Sequence, residues 1–412
     1  MLSLDQIANL YGKPMALLIQ CCRVHFNTNT IESLNTSVLA IEEAKVGETL
    51  KRVQLLSRLH RIRPVVYRML LSTTIPEEFK ISLKNELHSI TLQNFEIAKE
   101  TERIVKKLAT VGITAIPYKG VAFSKQFYGD ISMRESTDID LAIDASDLLA
   151  IKPQFEEDGY AIAGGMENPV NASTTYYTEN KDLCFDKVTS NHQFHVELHW
   201  MVTHPRYQAP TNLNKINIAE TVESELGGSS LRFLEPTEHL RATLLHHLLH
   251  DGMEYLKLLV DITQAQAAIR RSPQEAEKFN NQDVKITELE QHYHVAPILQ
   301  AIEELFGIGQ INSIQTKTSI KESVINYCLQ SNIGRYQRHR PLSLLGHYIR
   351  SLHNRVRFIK NKKDQHRFQI SYIHSLIKPG LGEREWIPLP SYLHGLYYLI
   401  RPLRILLRGK EE

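Results

Sequence analysis

Hydrophobic residues in the first 110 positions recur every three or four residues, which is the spacing of an amphipathic helix. The pattern is clear at 50–59 and again at 81–108, with a break between helices at Pro76. The same period returns after Pro236 and continues through Leu249. We therefore predict an N-terminal helical region at 1–110 and a C-terminal helical domain at 234–412.

The segment between these helical regions has short runs of strand-forming residues separated by turns. Strands are predicted at 113–118, 138–143, 183–185 and 194–200, and short helices at 121–128 and 148–158. This mixture predicts an α/β core at 111–233. The predicted fold class is therefore α/β (α+β), with a small mixed sheet flanked by N-terminal and C-terminal helical regions.

The run 138–143 combines the alternation of a strand with a pair of acidic residues. Ile139, Leu141 and Ile143 fall on one face, and Asp138 and Asp140 fall on the other. Two carboxylates at this spacing are roughly 6–7 Å apart and can converge on divalent cations. Glu197, in the later strand at 194–200, is the best candidate for a third carboxylate. The alternative is a solvated acidic strand face.

Several stretches of the chain match the pattern of a known family. They are 118–122, Tyr128-Gly129-Asp130, Arg134, Asp138-Ile139-Asp140-Leu141, Glu197-Leu198-His199-Trp200, the histidine-rich run 246–261, Trp386, Leu389-Pro390 and 397–404. Together they resemble the uncharacterised bacterial nucleotidyltransferase family of the DNA polymerase beta-like superfamily. The likeness extends from about residue 55 to about residue 405.

The resemblance implies a nucleotidyltransferase fold and metal-dependent transfer of a nucleoside monophosphate. Asp138, Asp140 and Glu197 would be catalytic and would bind Mg²⁺ or Mn²⁺. Nucleotide contacts are expected from Lys119, Gly120, Arg134, Ser136, His199, His250, Lys257 and Asp261. Lys119-Gly120 would lie where the superfamily has Gly-Gly or Gly-Ser against the phosphates. Because Val121 takes the second small position, Lys119 would supply charge in place of a serine hydroxyl.

The basic and histidine side chains near these motifs allow more than one interpretation. Lys119 and Arg134 are the best cationic candidates for phosphate, the alternative being surface charges. His246 and His250 have the i, i+4 spacing of zinc ligands, but no third ligand is evident from the sequence. We favour a helix that lines the cleft near the nucleotide or acceptor, with plain helix packing as the alternative. His195 shares a strand face with Glu197, and Trp200 is predicted to be a core residue.

Composition narrows the class of protein without identifying its partner. A net charge of +2 over 412 residues does not indicate a polyanionic partner. Four scattered cysteines without a Cys-x-x-Cys motif indicate a reducing compartment. The first residues do not resemble a signal peptide, and no apolar run reaches the roughly 18 residues of a membrane span. We therefore predict a cytoplasmic protein.

Two C-terminal segments are unusually basic. Residues 335–367 contain ten Arg or Lys and one acid, Asp364, with aromatic residues between them. They predict a solvated helix face, or alternatively a nucleic-acid groove or a patch for acidic lipid or an acidic acceptor. The segment 401–408 could lie on a membrane surface. We prefer its docking onto the body of the protein.

Three functional hypotheses follow. The first is an enzyme that moves a nucleoside monophosphate from a nucleoside triphosphate to an acceptor hydroxyl and releases pyrophosphate. A small molecule, a peptide or a protein is favoured over RNA as the acceptor. The second is an RNA-directed, toxin-like transferase. The third is a pseudoenzyme that binds a nucleotide or a partner protein without catalysis.

Overall fold

The computed structural model describes residues 1–163, 178–190, 192–271, 284–308, 318–330, 341–379 and 386–408. Its N-terminal region is helical, as predicted. The helices are α1 (Leu4–Tyr11), α2 (Lys13–His25), α3 (Ile31–Leu39), α4 (Glu43–Leu59), α5 (Arg63–Leu71) and α6 (Glu77–Thr110). Local sequence explains several of the boundaries. Ser3 and Gln6 form a capping box on α1, and α6 begins directly after Pro76, the predicted break.

A five-stranded mixed sheet forms the α/β core. Its strands are β1 (Ile116–Pro117), β2 (Ile139–Ala142), β3 (Ala161–Ile162), β4 (Asp182–Val188) and β5 (Gln193–His199), in the order β1-β2-β5-β4-β3. Strands β2 and β5 are parallel neighbours, and the other pairings among the described strands of this sheet are antiparallel. The sheet confirms the predicted fold class. The first strand is shorter than the predicted 113–118, because only two of those residues pair with β2.

Two helices of the core were predicted from the sequence. The predicted helix at 121–128 is present as α7 (Gly120–Phe123), which continues as a π-helical turn at Ser124–Tyr128. Helix α8 (Leu148–Glu157) is the second. A hairpin of β6 (Thr221–Leu226) and β7 (Ser229–Leu234) was not predicted. Its turn is Gly227-Gly228, whose φ angles of 70° and 122° favour glycine.

Helices dominate the C-terminal part, as predicted. A short helix, α9 (Thr211–Asn214), precedes the hairpin. The others are α10 (Pro236–Leu249), α11 (Leu256–Arg271), α12 (Val284–His292), α13 (Ala296–Phe306), α14 (Thr318–Gln330), α15 (Pro341–Val356), α16 (Lys362–Ile377) and α17 (Tyr397–Arg408). Among the described helices, none combines the length and apolar character needed to cross a bilayer.

Buried apolar side chains form two clusters that do not follow chain order. The larger cluster joins the N-terminal helices to the C-terminal ones, for example through Leu18, Val66, Leu245 and Ile302. The smaller cluster lies between the sheet, α8, the hairpin and the second half of α6. Helix α6 contributes to both clusters and thereby fixes the α/β core against the helical part. The four cysteines are buried and form no disulfide.

Candidate active site

The parallel pairing of β2 with β5 brings the predicted carboxylates together. Asp140 and Glu197 are direct register partners on the two strands, which places their Cα atoms about 5 Å apart. Asp138 comes two residues earlier, just before β2, and lines the same cleft as the other two. Carboxylates from two segments 57 residues apart therefore meet at one edge of the cleft.

Asp140 is the most enclosed of the three carboxylates. Its Oδ1 lies 3.2 Å from the Lys119 Nζ and 2.9 Å from the His199 Nε2. Burial alone would raise the pKa of Asp140, but the Lys119 ammonium and the His199 imidazole hold that pKa below its usual value. Asp140 is therefore an anion at neutral pH.

His199 connects Asp140 to Glu197. Its side chain is fully buried, and its Nε2 lies 2.9 Å from the Glu197 Oε2 as well as 2.9 Å from Asp140. A single Nε2–H is therefore shared between two carboxylates and holds them side by side. Trp200, which follows, is buried in the α/β core, as predicted.

Glu197 also has basic neighbours on its outer side. The Lys181 Nζ lies 3.7 Å from its Oε2, and the His195 Nε2 lies 3.7 Å from its Oε1. Burial opposes ionisation, but His195 and His199 hold the pKa of Glu197 well below its usual value. His195 also pairs with Asp186 at 2.6 Å. Its pKa rises to about 11, first through Cys184 and then through Glu197.

Asp138 differs from the other two because its pKa is raised. Burial is the first cause, and the negative charges of Asp140 and Glu197 are the next. This mutual repulsion is what a divalent cation would relieve, and carboxylate oxygens are the ligands that Mg²⁺ prefers. Carboxylate oxygens of Asp140 and Glu197 also lie within 4.8 Å of each other. The residues therefore fit the divalent cation that the sequence pattern implies.

The backbone at Lys119-Gly120 approaches these carboxylates closely. Lys119 and Gly120 have φ angles of 54° and 39°. A Cβ on Gly120 would lie 3.4 Å from the Asp138 backbone oxygen and 3.9 Å from the Asp140 Oδ2. The side chain of Val121 is buried in the α/β core, which explains an apolar residue at that position.

Ser136 lies beside this turn. Its Oγ is 3.8 Å from the position that a Gly120 Cβ would take. This hydroxyl is buried and has no hydrogen-bond partner in the described part of the chain. A buried donor without a partner is uncommon, so the site has hydrogen-bonding capacity left for a ligand.

Arg134 and Asp261 form a buried ion pair next to the cleft. The Arg134 Nε lies 3.1 Å from the Asp261 Oδ2, and the guanidinium lies over the Phe123 ring at 5.2 Å. Burial would raise the pKa of Asp261, but Arg134 and other basic neighbours lower it to about 2. The pair therefore joins the loop before β2 to α11, and Asp261 itself is not among the residues that line the cleft.

The cleft has a volume of about 420 Å³. Of the residues predicted for the site, those that line it are Lys119, Gly120, Arg134, Asp138, Asp140, Glu197, His250 and Lys257. Ser136, His199 and Asp261 are not among the residues that line it. Burial, followed by the Arg134 charge, lowers the pKa of Lys257 to about 8. The described wall of the cleft thus carries carboxylates at one edge and several cations around them.

Three arginines of the N-terminal helical region also line the cleft, and the sequence interpretation missed them. Arg58, Arg61 and Arg63 lie at the junction of α4 and α5. Arg63 pairs with Glu86 at 3.0 Å and with Glu135 at 2.6 Å. Arg61 has a φ of 56° and lies over the Tyr255 ring at 5.3 Å. Three arginines within residues 58–63 were the feature of the sequence that could have indicated a binding role.

The histidine-rich end of α10 forms another wall of the cleft. His246 and His250 stack with ring centroids 4.5 Å apart, and the Asp251 Oδ2 lies 3.8 Å from the His246 Nε2. Burial lowers the pKa of His250 to about 4 and that of His246 well below its usual value. No third metal ligand was evident from the sequence, and the structure brings Asp251 close enough to His246 and His250 for its carboxylate to be one.

The two basic C-terminal segments have structural contacts. Residues 335–340 lie outside the described part of the chain. Further along, Arg355 is buried and donates to the backbone oxygen of Leu249 at 2.7 Å. In the last helix, Tyr397 is buried and the Arg401 Nε donates to the Leu376 oxygen at 3.1 Å, whereas Leu399 and Leu403 are exposed. Part of each segment is therefore used in packing.

Comparisons with known proteins give one family match and one similar solved structure. A family model described as uncharacterised nucleotidyltransferase matches residues 48–305, more than half of the chain. The chain is similar to a crystal structure of an antigenic nucleotidyltransferase-like protein from Paracoccidioides brasiliensis, at 15% identity and a TM-score of 0.32. That match covers 50% of this chain and 91% of the other. No curated protein sequence matches significantly.

Proposed function

The chain belongs to the uncharacterised nucleotidyltransferase family, and on that premise we propose that it transfers a nucleoside monophosphate from a nucleoside triphosphate to an acceptor hydroxyl. The observation that carries the proposal is the register pairing of Asp140 with Glu197 on parallel strands, with Asp138 two residues upstream at the same cleft. Three carboxylates from two strands match what metal-assisted phosphoryl transfer requires.

The reaction is an in-line substitution at the α-phosphorus of the triphosphate. The acceptor oxygen forms a bond to phosphorus, the bond to the β-phosphate oxygen breaks, and pyrophosphate leaves with that electron pair. The acceptor's proton passes to a carboxylate of the cluster, and Asp138, whose pKa is raised, is a stronger base than Glu197, whose pKa is lowered. A divalent cation, Mg²⁺ or Mn²⁺, held by Asp138, Asp140 and Glu197 would neutralise phosphate charge and lower the pKa of the acceptor hydroxyl.

The chain's own side chains position the substrate. Lys119 is held at the carboxylate edge by Asp140, and its backbone N–H donates to the His239 Nε2 at 2.9 Å, so the turn is fixed from both sides. The absence of a side chain at Gly120 lets the triphosphate approach the backbone. Lys257 supplies positive charge from α11. His199 acts through the carboxylates that it holds side by side.

The test is incubation of the protein with each α-labelled nucleoside triphosphate, Mg²⁺ or Mn²⁺, and a native cell extract. We expect one triphosphate to label a small molecule, a peptide or a protein, and the label to require the divalent cation. Label on RNA would instead favour the RNA-directed alternative. If the folded wild-type protein transfers no label from any triphosphate, the proposal is wrong.

Asp140→Asn is the decisive variant because it keeps the shape of the side chain and removes its charge. We expect the transfer rate to fall at least about 100-fold, the scale of removing one charge-stabilising group from a transition state. Asp144→Asn is the matched control, because Asp144 follows the same strand but is exposed and lies outside this cleft. Equal activity of both variants would assign the transfer to a contaminating enzyme.

A further inference from the structure

The histidine-rich end of α10 brings three metal-ligating side chains together away from the carboxylate cluster. His246, His250 and Asp251 each offer one ligand atom, and these atoms lie within 4.8 Å of one another. The i, i+4 spacing places both imidazoles on one face of the helix, and the helix ends at Leu249 so that Asp251 turns back toward them. All three residues line the cleft.

The contacts behind these side chains leave ring nitrogens available to a metal ion. The His246 Nδ1 lies 3.2 Å from the Val202 oxygen, and because a carbonyl can only accept, this nitrogen carries the hydrogen. The lone pair of Nε2 is then free and faces the Asp251 Oδ2 at 3.8 Å. A ligating histidine that donates its other N–H to a backbone carbonyl is the usual arrangement at metal sites.

Two further contacts support the same arrangement. The His247 Nδ1 lies 2.8 Å from the Asp251 Oδ2 and donates to it, so the carboxylate is oriented by a neighbour that lies outside the ligand group. The His250 Nδ1 is buried and has no hydrogen-bond partner among the residues that the structure describes. The unpaired His250 nitrogen, the His246 Nε2 lone pair and the Asp251 carboxylate lie together, and a bound cation would satisfy all three.

We propose that His246, His250 and Asp251 bind one transition-metal ion, with Zn²⁺ as the ion that this ligand set suits. Two imidazole nitrogens and one carboxylate oxygen are typical of zinc sites that keep a fourth position open. Mg²⁺ prefers oxygen ligands alone, so the cleft would hold two chemically different cation sites. Because all three residues line the cleft, an anionic oxygen of a bound substrate would be able to take the fourth position.

The dimensions of the cluster suit this ion. Zinc with bonds of about 2.0–2.1 Å separates tetrahedral ligand atoms by about 3.3 Å. The ligand atoms here lie within 4.8 Å of one another, so side-chain rotations that bring them closer by up to about 1.5 Å would complete the coordination. The proposal concerns zinc binding and does not depend on nucleotide transfer.

The test uses protein without an affinity histidine tag, equilibrated with Zn²⁺ and then desalted. We expect one equivalent of zinc by elemental analysis, and visible absorption bands of tetrahedral Co²⁺ when cobalt replaces zinc. His250→Gln and Asp251→Asn should each lose the bound ion. His247→Gln, which removes only the orienting contact, should weaken zinc affinity about 10–100-fold.

Two controls locate the ion. His88→Gln removes an exposed histidine of α6 and should leave zinc content unchanged. Asp140→Asn should also keep its zinc, because Asp140 belongs to the carboxylate cluster. Circular dichroism shows whether each variant is folded, and either folded ligand variant is sufficient for the test.

The absence of bound zinc in the wild-type protein would overturn the proposal, as would loss of zinc in Asp140→Asn with retention in His250→Gln. Because zinc content is measured without nucleotide, neither result affects the proposed transfer reaction. Conversely, a protein that binds zinc at this site but transfers no label would leave this inference standing and remove the proposed function.

Discussion

The buried ion pair of Arg134 and Asp261 allows the loss of unfolding free energy in a variant to be predicted with a magnitude. Both residues were predicted from the sequence to contact the nucleotide, but each is the other's ion-pair partner, with side chains 9% and 1% exposed. Asp261→Asn keeps the shape of the side chain and leaves the Arg134 charge without its carboxylate. Removing one partner of a buried ion pair costs about 3–5 kcal/mol of unfolding free energy.

The pKa of Asp261 gives a second and lower figure for the same stabilisation. The pKa is lowered from 3.8 to about 2, and a difference of that size corresponds to about 2 kcal/mol. Because the folded-state pKa is depressed, this stabilisation is fully present above about pH 4 and is lost as pH falls toward 2. We therefore expect the difference in unfolding free energy between wild type and Asp261→Asn to be constant above pH 5 and to shrink below pH 4.

The assay is urea unfolding followed by tryptophan fluorescence. The protein has two tryptophans; Trp200 is buried in the α/β core, whereas Trp386 is half-exposed. Asp364→Asn is the control, since its pair with Arg367 is exposed and 4.0 Å long and should contribute less than about 0.5 kcal/mol. A cost below about 1 kcal/mol for Asp261→Asn, or a cost that does not change between pH 5 and pH 3, would refute the reasoning.

Three other predictions concern the cleft and the turn of the β6–β7 hairpin. Lys257 has a pKa of about 8, so nucleotide affinity should weaken as pH rises through 8 and the ammonium is lost, whereas Lys257→Arg should show no such change in a titration of nucleotide binding. Gly120→Ala forces a side chain onto a φ of 39° beside Asp138; it should raise the KM for the triphosphate and cost about 1 kcal/mol by urea unfolding. Gly227→Ala places a Cβ 2.9 Å from the Ala98 backbone oxygen and should cost about 1–3 kcal/mol, a prediction that an unchanged urea midpoint would contradict.

The carboxylate cluster could be predicted from the sequence, because the alternation of residues along a strand shows which side chains share a face of the sheet. Asp138 and Asp140 lie two apart, and Glu197 alternates with apolar neighbours in a later strand. What the sequence does not contain is the register between β2 and β5. A slip of one residue would place Val196 or Leu198 opposite Asp140, and only the packing of both strands selects Glu197.

Other features required contacts that no local pattern reports. Arg134 and Asp261 are 127 residues apart, so no local pattern indicated their ion pair, and their nucleotide contacts stay predictions. The arginines at 58–63 reach the cleft only because the N-terminal helices pack against α11. The β6–β7 hairpin, by contrast, had a local signal, since Gly227-Gly228 separates two alternating runs.

The larger apolar cluster also has a consequence for how the chain is synthesised. Side chains of α2 and α5 belong to the same apolar cluster as those of α10 and α11, which follow roughly 200 residues later. Protein synthesis adds about 5–20 residues per second, so the apolar faces of α2 and α5 would stay exposed for about 10–40 s before α10 and α11 are synthesised. The N-terminal helices are therefore synthesised before some of the helices that complete their apolar cluster. Their exposed apolar side chains would be able to bind chaperones until α11 has been synthesised.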